Sequence, residues 1–288
     1  MAMVRAQGLG RRYGDFWAMQ GLDLEVEAGE VFGIIGPNGA GKSTTIKMLS
    51  GLLAPTAGKG EIAGFALGDP RAKERIGYLP EESPLYEDMT ARTYLRFFAD
   101  LYGVPTQEGK RRAEDLLDLL KLEHRDRKLG DLSKGNRRKV AIARALIHDP
   151  DVLIFDEPAS GLDPKVSAGI LDLIRDLQAK GKTILFSAHN LYHVERICRR
   201  VVICHKGRPV LSGTMADIRE RSGERAYHAV VDVAVKGAKP VDDRLEVVVR
   251  RFDDLEHVRA EAKSLGGRVL DVRTRELTLE EIFLQVTG

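Results

Sequence analysis

Short apolar runs alternate with amphipathic segments along much of the chain, a pattern typical of βαβ units and of a sheet covered by helices. Three runs are almost wholly apolar, at residues 31–35, 152–155 and 183–186. Strands that are buried on both faces have this composition, and parallel sheets are built from such strands. A helical pattern over residues 44–50 follows the first run closely. The pattern therefore predicts an α/β fold with a mostly parallel central sheet.

From about residue 90 to residue 147 the pattern becomes almost entirely helical, and we expect a helical subdomain inserted at about residues 84–150. Five residues share the spacing of one helix face, and four leucines further along do the same: Tyr94, Phe97, Phe98, Leu101 and Tyr102, and then Leu116, Leu117, Leu119 and Leu120. An apolar stripe of this kind usually packs in a core, so we expect the first five to be core residues. The alternative is a surface on which a partner docks.

The pattern changes again beyond residues 207–209, where hydrophobicity falls and new alternating strands follow. We place a domain boundary after residue 213, which separates residues 1–213 from a small α+β domain at residues 214–288. The predicted elements of the second domain are strands near residues 229–235 and 245–251, a helix near 254–265, a strand near 268–272 and a last helix near 279–286. The last helix has four apolar residues that are expected to face inward: Leu279, Ile282, Phe283 and Val286.

Composition limits the possible classes of protein. Of 288 residues, 43% are hydrophobic and 31% are charged, which is ordinary for a globular protein and excludes a disordered or fibrous chain. Basic side chains number 45 and acidic ones 43, a net charge of +2, so we expect no nucleic-acid partner. No apolar run approaches the roughly 18 residues that span a bilayer, and we expect no secretory signal. We expect a cytoplasmic chain in which Cys198 and Cys204 stay reduced.

The candidate chemistry begins with a glycine-rich loop after the first apolar run. Residues 36–43 read Gly-Pro-Asn-Gly-Ala-Gly-Lys-Ser and match the phosphate-loop pattern G-x-x-x-x-G-K-[ST] between a strand and a helix. The backbone N–H groups of such a loop, with the positive end of the helix, attract phosphate oxygens. We expect Lys42 to reach the β- and γ-phosphates and Ser43 to bind Mg²⁺. The candidate nucleotide-binding residues here are Gly36, Asn38, Gly39, Ala40, Gly41, Lys42, Ser43 and Thr44.

Two adjacent carboxylates, Asp156 and Glu157, end the second apolar run. Side chains alternate in direction along an extended segment, so the two can perform different tasks. We expect Asp156 to lie near Mg²⁺, directly or through water. Glu157 is expected to face the attacking water, as a base or as a group that positions the water.

Four further features stand in order around these two motifs. Tyr13 precedes the glycine-rich loop, Leu-Ser-Lys-Gly-Asn at residues 132–136 opens a helical segment, Ser-Gly-Leu-Asp at residues 160–163 follows the acidic pair, and His189 comes after the third apolar run. With the two motifs, this set resembles the nucleotide-binding subunit of ABC transporters over about residues 3–213. The resemblance implies a P-loop NTPase of ABC type, in which an antiparallel β region accompanies the central sheet and the helical subdomain.

The resemblance also implies a role for each residue. Tyr13 would stack on adenine, residues 36–44 would form the Walker A loop, and Asp156 and Glu157 would form Walker B. Glu157 and His189, the switch histidine at the γ-phosphate, would be the catalytic residues. The signature loop, which completes the ATP site of a second copy, would consist of Ser133, Lys134, Gly135 and Asn136, with Asp163 of the D-loop at the same interface.

Elementary chemistry supports the second copy. Ser133 is a good N-cap residue, and a helix start with a hydroxyl and unpaired N–H groups binds phosphate well. Because residues 36–44 already bind the phosphates within one chain, a second phosphate-binding helix start has to act on another chain. We therefore expect a head-to-tail homodimer with two ATP molecules between its copies.

The sequence departs from the family pattern at two positions. Lys134 stands where the signature loop typically has glycine, and a lysine near phosphates is electrostatically tolerable. Glu81 stands where the Q-loop typically has glutamine. Glu81 still offers an oxygen to Mg²⁺ or to the water, but it adds a negative charge.

These expectations define an ATP-hydrolysing subunit at the cytoplasmic face of a membrane, which drives a separate transmembrane permease for export. Residues 81–86 join the ATP site to the helical subdomain and are the expected route by which motion reaches the permease. Residues 214–288 resemble, more loosely, the extension of bacterial exporter-type ATPase subunits, with a dimer-stabilising or regulatory role. The alternatives are a soluble ABC ATPase that acts on nucleic acid or ribosomes and a non-hydrolysing, ATP-gated interaction protein.

Overall fold

The computed structural model describes residues 2–221, 225–241, 244–249, 251–276 and 278–287. The chain divides into two compact units, Met1–Ser212 and Gly213–Gly288. The strands of the first unit are β1 (Ala2–Tyr13), β2 (Phe16–Glu27), β3 (Val31–Ile35), β4 (Ala57–Ile62), β5 (Phe65–Ala66), β6 (Ile76–Leu79), β7 (Val152–Phe155), β8 (Thr183–Ala188), β9 (Arg200–His205) and β10 (Arg208–Thr214). Its helices are α1 (Lys42–Leu49), α2 (Pro70–Glu74), α3 (Ala91–Leu101), α4 (Thr106–Leu119), α5 (Lys134–Leu146), α6 (Pro164–Ala179) and α7 (Leu191–Ile197).

A six-stranded sheet with the order β10-β9-β3-β8-β7-β6 forms the centre of the first unit. The pairs β3–β8, β3–β9, β7–β8 and β6–β7 are parallel, which confirms the predicted mostly parallel sheet. Every residue of β3, β7 and β8 is buried, as their apolar composition requires. Because these three strands run in the same direction, their carboxyl ends meet at one edge, and the candidate motifs follow there.

A second sheet of the first unit, with the order β2-β1-β4-β5, is antiparallel. It is the antiparallel region that the family resemblance implies. Hydrophobic periodicity alone did not reveal it, because the register of β1 against β2 shifts repeatedly and the alternation of buried and exposed positions is broken. Buried side chains of both sheets and of α1 share one core, for example Leu9, Leu22, Phe32 and Ile46.

The helical region is interrupted, whereas the sequence predicts almost continuous helix. Residues 120–133 are not continuous helix, and they contain one 3₁₀ turn, Leu129–Asp131. Lys121 has a positive φ of 49°, a conformation that interrupts a helix.

The apolar stripe on α3 is only partly core, so that expectation is wrong for three residues. Tyr94 is buried and Phe98 is half-buried, but Phe97, Leu101 and Tyr102 are 41%, 67% and 49% exposed. The physical reason is that α3 buries a narrower face, on which small and aliphatic side chains join Tyr94: Ala91, Leu95 and Ala99.

The second unit contains α8 (Met215–Arg221), β11 (Arg225–Val231), β12 (Lys239–Val241), β13 (Arg244–Val249), α9 (Asp254–Ser264), β14 (Val269–Glu276) and α10 (Leu279–Thr287). Its strands form an antiparallel sheet with the order β12-β13-β11-β14. Helix α9 packs on this sheet through Val258 and Ala262, which meet Ala229, Val231 and Val247. This is the α+β pattern that the sequence predicts.

The last helix, α10, buries Leu279 and Ile282 completely and Phe283 partly. Val286 is exposed, so the prediction that it faces inward is wrong. Four residues after Ile282, near the end of the helix, the buried face has already ended. None of the helices in the described ranges has the length and apolar composition needed to cross a bilayer.

Candidate active site

The glycine-rich loop packs tightly against the rest of the first unit. Gly41 has a φ of 98°, and a Cβ atom at this position would overlap the carbonyl oxygen of Ala18, so only glycine fits. The side chain of Lys42, 6% exposed, folds back over the loop. Its Nζ donates to Gly36 O at 2.8 Å and to Pro37 O at 3.3 Å. The side chain of Lys42 therefore bonds to the backbone of its own loop.

Glu157 lies between two candidate partners. Its Oε1 is 3.5 Å from Lys42 Nζ, and its Oε2 is 2.8 Å from His189 Nδ1. The carboxylate is buried, whereas His189 is 54% exposed. The structure thus brings together three residues that lie far apart in the sequence, each at the carboxyl end of a parallel strand or on the helix that follows one.

The backbone of Glu157 is unusual as well. Its φ of 48° lies in the left-handed region, which a non-glycine residue occupies only where the surroundings hold it there. The Glu157 N–H donates to Ser187 Oγ at 3.0 Å, and that hydroxyl in turn donates to Asp156 Oδ1 at 2.6 Å. Ser187 therefore orients both acidic residues. Sequence reasoning did not single out Ser187, because a serine near the end of a strand is common and its bonds to Asp156 and Glu157 appear only in the fold.

Asp156 and Ser43 form the candidate metal-binding pair. The Ser43 hydroxyl donates to Asp156 Oδ1 at 3.3 Å, and Asp156 is 2% exposed. Hydroxyl and carboxylate oxygens are the hard ligands that Mg²⁺ prefers, so these residues fit that ion. Among the described residues, no three His, Cys, Asp or Glu side chains cluster as a complete metal site.

One cavity of about 510 Å³ lies at this site, and Asp156 is not among the residues that line it. From the glycine-rich loop it is lined by Asn38, Gly39, Gly41, Lys42, Ser43 and Thr44. Glu81, Glu157 and His189 line it from other elements. Gly36 and Ala40 have a different place, because Ala40 is fully buried and a Cβ atom on Gly36 would overlap Cys204 O.

Tyr13 lies beside this cavity rather than in its lining. It is half exposed at the end of β1, with the Arg11 guanidinium 4.9 Å from its ring centroid. Phe16, its partner across the β1–β2 hairpin, lines the cavity and is 65% exposed. Phe16 is a candidate that sequence reasoning missed, and its signal was an aromatic residue three positions after Tyr13.

The signature loop stands apart from this cavity. Ser133 caps α5, where its Oγ accepts a bond from Asn136 N at 3.3 Å. Lys134 is exposed, and its Nζ lies against Gly161 of the same chain, 2.6 Å from the position that a Cβ atom there would take. Asp163 is exposed and caps α6 by accepting from Val166 N at 2.9 Å. Neither the signature residues nor Asp163 line the cavity that holds Lys42.

Burial controls the ionisation of three groups in the first unit. It raises the pKa of Tyr78 to about 12, with a smaller contribution from the negative charge of Asp156. It raises the pKa of the Cys204 thiol to about 12 against the opposing charge of Lys42, and it raises the pKa of Cys198 well above its ordinary value. Both cysteines are unpaired and buried, so they pack as neutral thiols.

Comparisons with known proteins agree with this geometry. The family described as ABC transporter matches residues 19–160. The chain is 32% identical to the linearmycin resistance ATP-binding protein LnrL of Bacillus subtilis, over 99% of this chain and 98% of that protein. It is 34% identical to the Nod factor export ATP-binding protein I of Burkholderia lata, over 100% of this chain and 98% of that protein.

Solved structures with a similar fold include an ATP-binding subunit of an ABC transporter, with a TM-score of 0.70 and 38% identity, over 77% of this chain and 93% of that one. Another is a dimeric ATP-binding cassette in a post-hydrolysis state with ADP and Pi bound. It has a TM-score of 0.67 and 26% identity, over 74% of this chain and 99% of the other.

Proposed function

The chain belongs to the ATP-binding proteins of ABC transporters and is an ABC ATPase, and from this premise we propose that it hydrolyses Mg·ATP as a head-to-tail homodimer that drives a separate membrane permease. The observation that carries the proposal is the position of Glu157 between Lys42 and His189 at the nucleotide cavity. A carboxylate held in this way, beside a phosphate-binding loop, suits a base that acts on water at the γ-phosphate.

In this mechanism the residues of the glycine-rich loop bind the phosphates. Lys42 lies at the loop with its charge facing both loop carbonyls and Glu157, so phosphate oxygens would compete with Glu157 for the same ammonium group. ATP binding then leaves the Glu157 carboxylate able to accept a proton from the attacking water. His189 holds the other carboxylate oxygen and restricts its rotation.

Mg²⁺ belongs to the same proposal. Ser43 and Asp156 would hold it, with Glu81 as a further oxygen donor from the cavity wall. When bound, the ion would neutralise charge on the phosphate groups during transfer. Ser187 supports this pair, because its hydrogen bond orients the Asp156 carboxylate.

The second copy would supply the signature loop. Ser133, Lys134, Gly135 and Asn136 start a helix and line no part of the cavity in their own chain, which supports a role toward a nucleotide bound to a partner. Asp163 would lie at the same interface. The dimeric cassette among the similar structures supports this arrangement.

The permease would dock on the helical region, at what we call the aromatic surface, formed by Tyr86, Phe97 and Phe98. Its rings contact one another, with 5.9 Å between the centroids of Tyr86 and Phe97 and 5.3 Å between those of Phe97 and Phe98. Tyr86 and Phe97 are 53% and 41% exposed, and exposed aromatic clusters of this kind mark interaction sites. The segment at residues 81–86 runs from Glu81, which lines the nucleotide cavity, to Tyr86 of this surface.

Export is the proposed direction, since the relatives named above are called a Nod factor export protein and a linearmycin resistance protein. The chain would then work at the cytoplasmic face of the cell membrane, held there by its permease. Residues 214–288 are proposed to stabilise the dimer or to regulate it. The compactness of that unit, with its own core between α9 and its sheet, supports a separate role.

The full-length chain tests the proposal directly. Purified protein should release phosphate from ATP only when Mg²⁺ is present, and ATP should convert it from a single copy to a pair in light scattering. Co-purification with a membrane protein encoded next to it would support the transport role. Co-purification with ribosomes or nucleic acid in place of such a protein would contradict that role.

A further inference from the structure

One arginine outside the roles described so far joins the candidate site to the helical region. Arg138 lies in α5, a little more than one turn after Ser133, and it is 8% exposed. A buried guanidinium is stable only where its five N–H groups find acceptors.

The five donors of Arg138 reach five backbone carbonyl groups on two loops. The bonds run from Nη1 to Pro80 O at 2.7 Å and Glu81 O at 2.8 Å, from Nη2 to Asp156 O at 3.0 Å and Glu157 O at 2.9 Å, and from Nε to Pro158 O at 2.9 Å. All five N–H groups of one side chain thus donate to the two segments that contain Glu81 and Glu157.

Arg138 lies where the backbone pairing of the two segments ends. They follow β6 and β7, which are parallel neighbours with Leu79 opposite Phe155. The backbone bond from Asp156 N to Leu79 O, at 2.8 Å, continues the pairing for one more residue. Beyond that bond, the guanidinium connects the two segments through its own hydrogen bonds to both. It also attaches both of them to α5.

Arg138 also holds one side of the unusual backbone at Glu157. Ser187 Oγ accepts from the Glu157 N–H, and Arg138 Nη2 donates to the Glu157 carbonyl. Those two bonds fix the peptide groups before and after the Glu157 side chain. A left-handed conformation in a residue other than glycine persists only with such support.

We propose that Arg138 is a positioning residue for ATP hydrolysis, which holds the backbones of Glu81 and Glu157 to the helix that begins at Ser133 and passes movement of that helix to Glu157. The inference rests on the proposed function, in which Ser133 meets the partner's nucleotide and Glu157 acts in its own site. Arg138 would then connect the two sites of a dimer through a single side chain in each copy.

The charge of Arg138 is compatible with this role. Burial lowers its pKa to about 10, and the nearby carboxylates of Asp156, Glu81 and Glu157 oppose that change, so the group remains a cation at neutral pH. An apolar side chain of similar volume could fill the space. It could not bond to carbonyl groups of two separate segments, and this difference makes the role testable.

The test uses the full chain with Arg138→Gln and Arg138→Lys. Calorimetry measures the Kd of Mg·ATP, single-turnover assays measure the hydrolysis step, and thermal melting measures stability. Arg138→Gln should leave the Kd within about twofold and slow hydrolysis about 30-fold, because Glu157 loses its fixed backbone position while the phosphate loop is unchanged. Arg138→Lys keeps three N–H donors and should show an intermediate loss of rate.

Arg112→Gln is the matched control. Arg112 is a half-buried arginine of the helical region that, like Arg138, donates to a backbone carbonyl, Ile147 O at 3.4 Å, but among its described bonds none reaches either catalytic segment. It should hydrolyse ATP at the wild-type rate.

A folded Arg138→Gln variant with the wild-type rate would overturn the inference. So would losses of affinity and rate in equal proportion, because they would indicate general damage. If Arg138→Gln does not fold, Arg138→Lys decides: a slower hydrolysis step with an unchanged Kd supports the inference, and a wild-type rate overturns it. A wild-type chain that binds no Mg·ATP would instead overturn the proposed function itself.

Discussion

Two loops of the first unit begin a helix and carry the residues expected at a nucleotide, but their surroundings differ. The loop at residues 36–43 is packed into its own chain: Gly41 lies against Ala18, and Lys42 is 6% exposed and bonded to two loop carbonyls. The signature loop at residues 133–136 is at the surface, where Ser133 and Lys134 are exposed. One loop is complete within the chain and the other faces outward.

The difference indicates a division of labour between two copies. A phosphate loop has to hold its glycines in fixed conformations before the ligand arrives, and packing provides this. A loop that acts on the nucleotide of another chain must instead remain accessible until the chains meet. Substitutions in the packed loop should therefore weaken ATP binding by a single copy, whereas substitutions in the exposed loop should slow turnover and leave that binding unchanged.

Glu157→Gln should have the largest effect. The amide keeps the size of the side chain but cannot accept the proton of the water, so turnover should fall about 10³-fold. Removal of the negative charge also ends the competition with phosphate for Lys42, so ATP binding is retained. Phosphate release measures the loss, and light scattering should show that ATP now holds the variant as a stable pair. Unchanged phosphate release would refute the role of Glu157.

Ser133→Asp tests the exposed loop. Aspartate caps a helix as well as serine does, so α5 should keep its start and the melting temperature should change little. Its carboxylate would repel the partner's phosphates, and turnover should fall about 10²-fold. Calorimetry at a concentration where the chain is a single copy should give the wild-type Kd. A weakened Kd for the single copy would mean that Ser133 acts on its own nucleotide.

Lys42→Ala tests the packed loop and should weaken ATP binding by a single copy. It removes a charge-assisted bond to phosphate and leaves Glu157 without its cation, so the Kd of ATP for a single copy should rise about 30-fold. Calorimetry with ATP measures this change. Wild-type affinity would argue against the phosphate-binding role of the loop.

Tyr13→Ala should have the smallest effect. Loss of one stacking ring should raise the Kd of ATP about fivefold and leave the Kd of inorganic tripolyphosphate unchanged. Phe16→Ala is the matched variant, because Phe16 lines the cavity and Tyr13 lies beside it. Equal losses for ATP and tripolyphosphate would indicate a folding defect rather than a lost stacking contact.

Sequence reasoning predicted the parts of the fold whose pattern is regular. The buried strands β3 and β7 and the helix α9 lie where their periodicity indicates, because a strand buried on both faces leaves a clear apolar run. The β1–β2 hairpin escaped this reasoning because its bulges break the alternation. Phe97 and Leu101 were expected in the core because their spacing alone cannot show how much of a helix is covered.

The candidate site shows the same limit. The phosphate loop and the acidic pair could be found because each is contiguous in the sequence. Ser187 and Arg138 could not, because their roles depend on bonds to residues from distant segments, such as Asp156 and Glu81. A serine and an arginine are common residues, and only the fold distinguishes these two from the others.

The central claim, that each copy supplies what the other lacks, is tested most directly by mixing two variants that are each impaired in one loop, at an ATP concentration between the wild-type Kd and the raised Kd of Lys42→Ala. Lys42→Ala has a damaged phosphate loop and an intact signature loop, and Ser133→Asp has the reverse. A mixed pair contains one site in which both loops are intact. An equal mixture should therefore recover activity, up to about a quarter of the wild-type rate if pairing is random and the sites act independently. Activity no greater than the sum of the two variants measured alone would contradict the account.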